Sequence, residues 1–169
     1  MKKTIFIAAI MIFTMSITYC QNTYYVDNNA GNQADYHSLQ TAIDSVDAGD
    51  ILMLQGSGVN YGNITINKQI TIIGPGYFLS KNPNTQANHL SAEIGVVAIY
   101  GNNTKISGCT ITTYLTLQAD DIVVTRNKIK YIRLHGSTNN LFISQNYIYS
   151  SSSDNSIYTD SGDHTNIVI

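Results

Sequence analysis

Between Thr104 and Ile169 one short pattern keeps returning: Ile106-Ser-Gly-Cys-Thr-Ile111, Val124-Thr-Arg-Asn-Lys-Ile129 and Ile143-Ser-Gln-Asn-Tyr-Ile148, with a fourth copy beginning in Asn166-Ile-Val-Ile169. Each complete copy has an apolar residue, two variable ones, a small or amide residue, a variable one and a second apolar residue. The copies open at residues 106, 124, 143 and 169, so they lie 18, 19 and 26 residues apart. A second pattern runs between them: Leu115-Thr-Leu117, then Ile132-Arg-Leu134 after 17 residues and Ile157-Tyr-Thr159 after a further 25. Apolar positions two apart predict strands with one face inward, and several short strands in a repeat of about 20 residues predict a solenoid.

The physical expectation is a right-handed parallel β-helix in which each coil stacks on the one before. Val124, Ile129, Ile132 and Leu134 should then lie over Ile143, Ile148 and Ile157 in one continuous core. Asn127 and Asn146 should stack at an inward turn, where side-chain amides can satisfy backbone groups that the strand ladders leave unpaired. Cys109 holds the same position one coil earlier and is expected to be a buried small residue.

At the other end, Lys2 and Lys3 precede an apolar run from Ile5 to Ile17. That run is shorter than the roughly 20 residues of a spanning helix and has the layout of a secretory signal over residues 1–20, with cleavage expected near Cys20-Gln21. The competing reading is a lipoprotein carrying lipid on Cys20, against which Tyr19 stands where a small residue is required. Without Lys2 and Lys3, seven of the nine basic side chains remain against eleven acidic ones, a balance of −4. Such a chain does not suit general nucleic-acid binding. Only Cys109 would remain, so no disulfide framework is available, and no basic partner stands beside it in sequence to activate the thiol. Few charges, no Trp and an abundance of Ile, Thr, Asn, Ser and Tyr favour strands and polar turns in one domain over residues 21–169.

Thr23 to Val26 reads as a first strand, ended by the turn-forming run Asp27-Asn-Asn-Ala-Gly-Asn32. One helix follows, with Ser38 as N-cap, Leu39, Ala42, Ile43 and Val46 on one face, and Ala48-Gly49 as its stop. A single amphipathic helix ahead of a solenoid can cover the open end of its core. Strands are expected at Gly49–Leu54, Asn63–Asn67, Ile70–Ile73 and Glu93–Tyr100, a surface loop over Ser80–Ser91, and an inserted turn over Tyr149–Ser156. Four or five coils result. The last has no cap after Ile169, which predicts either a truncated chain or an edge at which another chain associates.

Tyr24-Tyr-Val-Asp27, Ser38-Leu-Gln-Thr-Ala-Ile43, Gly49-Asp-Ile51, Tyr61-Gly-Asn-Ile-Thr-Ile-Asn-Lys68 and Ile70-Thr-Ile-Ile-Gly-Pro-Gly76, in this order, resemble the N-terminal part of secreted bacterial right-handed β-helix proteins of the pectate lyase-like superfamily. With the coils after Thr104 the resemblance covers nearly all of residues 21–169. It implies the fold and leaves the activity open, because lyases, hydrolases, epimerases, adhesins and silent repeats all use this scaffold.

Arg126, Lys128, Lys130 and Arg133 cluster around Tyr131. If Val124, Ile129, Ile132 and Leu134 face inward, Lys128, Lys130 and Arg133 should face outward and close together. The resemblance implies an anionic polysaccharide as ligand of Lys128, Lys130, Tyr131 and Arg133, with the tyrosine ring on a sugar face. In lyases of this fold a basic residue removes the proton, and carboxylates often hold Ca²⁺. The plainer reading is a solvated face that balances an acidic chain. Asp120 and Asp121 fall at a turn and form no evident cluster with it. Asp154, Asn155, Asp160, Asp163 and His164 could offer oxygen ligands to Ca²⁺, although turns are rich in Asp and Asn for backbone reasons alone. His37, His89 and His135 lack metal-ligand spacing. No serine-hydrolase elbow, phosphate loop or cysteine pair is present. Tyr147, Tyr149 and Tyr158 could form a sugar-stacking surface or be half-buried strand residues. Thr110, Thr112 and Thr116 point to an outward threonine face. The expectation is a non-catalytic, secreted or cell-surface scaffold without a cofactor or transmembrane helix, binding polysaccharide, cell-surface glycan or matrix. A polysaccharide lyase or glycoside hydrolase is the alternative.

Overall fold

The computed structural model describes residues 20–81, 88–150 and 156–169. The chain is all-β apart from one short α-helix and a single 3₁₀ turn at Leu79–Lys81. Its strands are β1 (Thr23–Val26), β2 (Ile51–Leu54), β3 (Ile64–Ile66), β4 (Thr71–Ile73), β5 (Glu93–Ile99), β6 (Lys105–Ser107), β7 (Thr110–Leu117), β8 (Val123–Thr125), β9 (Lys128–Ile129), β10 (Ile132–Leu134), β11 (Thr138–Ser144), β12 (Tyr147–Ile148), β13 (Ile157–Thr159) and β14 (His164–Val168). The helix α1 spans Leu39–Ser45.

These strands form two sheets in which every pairing is parallel. One sheet has the order β1-β2-β4-β6-β8-β11-β14; the other joins β3 to β5, β5 to β7, and β7 to both β9 and β10, which continue to β12 and β13. Strand β7 serves two neighbours because it is long: Thr110 and Ile111 pair with Lys128 and Ile129, while Leu115 to Leu117 pair with Ile132 to Leu134. Parallel strands about one repeat apart, alternating between the sheets, fit a β-helix-like fold.

The register follows the period-two pattern. Leu52, Ile72, Ile106, Val124 and Ile143 stack in successive strands of the first sheet. In the second, Ile94, Ile111, Ile129 and Ile148 form one row, and Val97, Leu115, Ile132 and Ile157 another. Nearly all are fully buried, while Ile148 and Ile157 pack against the core half-covered. Thus Val124, Ile129 and Ile132 do lie over Ile143, Ile148 and Ile157. Each buried aliphatic side chain contributes about 1.5–3 kcal/mol, so the rows hold the sheets together.

At α1, the Ser38 hydroxyl accepts the Thr41 N–H at 3.4 Å, and Leu39, Ala42 and Ile43 are buried against the end of the core. The helix stops earlier than Ala48-Gly49. Val46 is already extended, which turns its side chain into the core while its N–H still closes on the Ala42 carbonyl. Among the described residues no helix is long and apolar enough to cross a membrane.

Two polar ladders fix the turns. Asn127, fully buried, accepts the Cys109 N–H at 2.9 Å and donates to the Ile106 carbonyl at 3.0 Å, and its own N–H donates to Asn146 Oδ1 at 2.9 Å. Asn146 in turn donates to the Val124 carbonyl. The residue before each step, Gly108, Arg126 or Gln145, is left-handed with φ of 72°, 55° and 57°. The second ladder went unnoticed in the sequence. Asp120 N–H donates to Asn102 and Asn139 N–H to Asp120, and each is followed by a left-handed residue, Asn103, Asp121 or Asn140. Its trace was present in the doubled Asn102-Asn103, Asp120-Asp121 and Asn139-Asn140, one coil apart, since Asn and Asp tolerate positive φ best. Asp120 and Asp121 are therefore turn residues.

The threonine face does not form. Thr110 and Thr116 are buried and only Thr112 is partly open, with its hydroxyl bonded to the Ile94 carbonyl. Thr110 lies between Glu93 and Lys128, and Thr116 between Ala98 and Arg133. A short side chain between two paired strands is screened by its neighbours.

Cys109 is buried as expected, and desolvation pushes its thiol from 9.0 up to about 12. Burial likewise pushes the Tyr61 hydroxyl from 10.0 to about 12; that hydroxyl donates to the Val26 and Gln55 carbonyls at 3.1 and 2.9 Å. Both groups hold their protons more tightly folded than unfolded. Stability from them is complete below about pH 9 and falls as the pH rises toward 12, because the unfolded chain releases protons the folded chain keeps. The urea midpoint is expected to drop between about pH 8 and 11, and a constant midpoint would contradict this linkage.

Candidate functional site

Two aromatic areas lie on the outer surface. The first is built on β7, β10 and β13 and the bends before them. Because coils stack in register, Tyr131 lies against Tyr114 with ring centroids 5.5 Å apart and against Tyr158 at 5.9 Å. Beside this row, Arg133 Nε donates to Asp160 Oδ2 at 2.6 Å, its Nη2 reaches the same oxygen, and His135 Nδ1 lies 2.5 Å from Asp160 Oδ1. The Asp160 hydrogen bond and charge raise the Arg133 pKa further. Desolvation pushes Asp160 upward, but hydrogen bonds from Arg133 and His135 and their charges outweigh it and hold the carboxyl below its ordinary value.

The second area starts from the segment after β4. Gly74 N–H donates to the Ser107 carbonyl at 2.7 Å and Gly76 N–H to the Gly108 carbonyl at 2.8 Å, so this segment lies tightly along the next coil's turn. It delivers Tyr77 and Phe78 to Tyr147 on β12, with centroids at 6.5 and 5.7 Å, and Tyr147 continues to Tyr149 at 6.1 Å. Lys128 Nζ sits 5.1 Å from the Tyr149 ring centre, a cation–π contact. Burial, then the Glu93 charge, raises the Tyr149 pKa. Behind the rings is a cleft of about 350 Å³ lined by residues 73–78, Ser107, Gly108 and Arg126.

The four residues expected at the ligand face all lie on the outer surface, half-buried, but in different surroundings. Lys128 belongs to the second aromatic area, Tyr131 and Arg133 to the first, and Lys130 falls at the bend between β9 and β10. Arg133 is already paired with a carboxylate. Tyr131 has a ring on either side, so it presents its edge and not a face, which changes the expected sugar stacking into edge or hydroxyl contact.

The oxygen-rich turn does not gather into a metal site among the described residues. Asp160 is held by Arg133 and His135, His164 Nδ1 meets the Thr138 hydroxyl at 2.8 Å, and no group of three His, Cys, Asp or Glu side chains could hold an ion. Asp154 and Asn155 lie outside the described residues, as does the segment 1–19 that carries the expected export signal. The Ca²⁺ chemistry of a lyase therefore has no fitting ligand set among the described side chains. Tyr77 and Phe78 were missed in the sequence; their only signal was an aromatic pair directly after Gly74-Pro-Gly76.

Comparison with protein-family models, curated proteins and solved structures gave no match.

Proposed function

We propose that this chain is a secreted or cell-surface, right-handed parallel β-helix of the pectate lyase-like kind that binds polysaccharide without cleaving it. Lys128, Lys130, Tyr131 and Arg133 form the ligand-facing edge. What carries the reading is the Arg133–Asp160 pair beside the Tyr114–Tyr131–Tyr158 row. A lyase base must release its proton and accept another, whereas this carboxylate and its hydrogen bonds fix the proton on Arg133. A guanidinium oriented by a carboxylate and bordered by tyrosine edges suits hydrogen bonding to sugar hydroxyls. The reading calls for no cofactor. Export rests on the basic and apolar pattern of residues 1–20.

Retardation in a gel containing polygalacturonate tests it. Lys130→Ala combined with Arg133→Ala is expected to weaken retention about tenfold, the effect of losing roughly one charge-assisted hydrogen bond. Unchanged retention removes this patch. A product absorbing in the ultraviolet, the mark of an unsaturated uronate, would establish the lyase instead.

A further inference from the structure

Resting on the polysaccharide reading, we propose a second glycan subsite: the cleft behind Tyr77 and Phe78 holds one uronate residue of an acidic polysaccharide, with Arg126 binding its carboxylate.

Among the described residues, Arg126 is the only charged side chain lining this cleft. Its Nε donates to Gln145 Oε1 at 3.0 Å, which steers the guanidinium, and its terminal nitrogens make no ion pair among the described residues. This differs from Arg133, whose guanidinium Asp160 already occupies. A planar fork with free N–H groups matches a carboxylate in bidentate geometry. The opposite wall supplies Tyr77 and Phe78, and Phe78 and Tyr147 are 44% and 46% exposed, large values for aromatic side chains. Aromatic rings suit the C–H face of a pyranose, which is apolar on one side and hydroxylated at its rim. The volume of about 350 Å³ lies near the lower end of small-molecule pockets.

Backbone geometry favours a sugar over a peptide. The Gly74 and Gly76 N–H groups in the floor are already bonded to Ser107 and Gly108 carbonyls. An added strand would find those donors spent, so ring contact and a single cation are what the cleft offers. The carboxylate is required by charge: one unpaired guanidinium selects an anionic sugar over a neutral one.

The test uses the full chain in gels containing polygalacturonate or neutral dextran. Gln145 holds the same left-handed conformation as Arg126, so Arg126→Gln removes the charge without asking the backbone for anything the next coil does not already do. Tyr77→Leu removes one wall. Both variants are compared where circular dichroism shows them folded. Each is expected to lose about tenfold in retention by polygalacturonate, with dextran retarding none of the proteins. Wild-type retention in both variants, while Lys130→Ala with Arg133→Ala loses it, overturns the subsite and leaves the polysaccharide reading standing. Equal retardation by dextran overturns the role of Arg126. No retardation of the wild type by polygalacturonate removes both.

Discussion

Replacing Asn127 by alanine is expected to lower the unfolding free energy by about 2–5 kcal/mol, measured as the shift in the urea midpoint at constant slope. The side chain has no exposed surface, and it satisfies the Cys109 N–H, the Ile106 carbonyl and Asn146 together. Removing it leaves a buried donor and a buried acceptor unpaired, each at a cost of about 1–3 kcal/mol. Asn146→Ala provides the comparison. Asn146 is only half-buried, so water can reach the groups it abandons, and its loss should be clearly the smaller. Equal losses at the two positions would mean that burial does not set the strength of this ladder.

Gly108→Ala is expected to cost about as much, roughly 3–5 kcal/mol, from two separable sources. Gly108 is left-handed, as are Arg126 and Gln145 at the equivalent turns, so backbone conformation alone does not require glycine there. The decisive difference is Gly74. A Cβ on Gly108 would overlap the Gly74 carbonyl, and a Cβ on Gly74 would overlap the Gly108 carbonyl. Backbone meets backbone, so neither side can yield by changing a rotamer. Gly74→Ala should therefore be damaging as well. Gln145→Ala, where no such approach exists, should cost only the roughly 1–2 kcal/mol of a left-handed alanine. Thermal unfolding of the three variants separates close approach from dihedral strain.

Those two sites differ in how far the sequence announced them. Asn127 and Asn146 were legible because they recur at one position of a fixed repeat, and a recurring amide between two inward apolar residues has few other uses. The inward rows and the Ser38 cap were legible for the same local reason: strand alternation has a period of two and a cap is read within four residues. The Gly108–Gly74 contact joins residues 34 positions apart (108 − 74), and nothing in either glycine's neighbourhood announces the other.

Local periodicity therefore determined the parallel coils, their buried rows, the turn amides and the helix over the core's end. Only the tertiary structure decided what each outward side chain meets. Arg133 finds Asp160 across 27 residues, Tyr131 is enclosed by Tyr114 and Tyr158, and Thr116 is screened between Ala98 and Arg133. Arg126 faces a cleft whose far wall comes from Tyr77 and Phe78. The physical reason is that inward residues meet one apolar interior whichever coil lies next to them. Outward residues meet particular neighbours, set by unequal coil lengths of 18, 19 and 26 residues and by the register these impose.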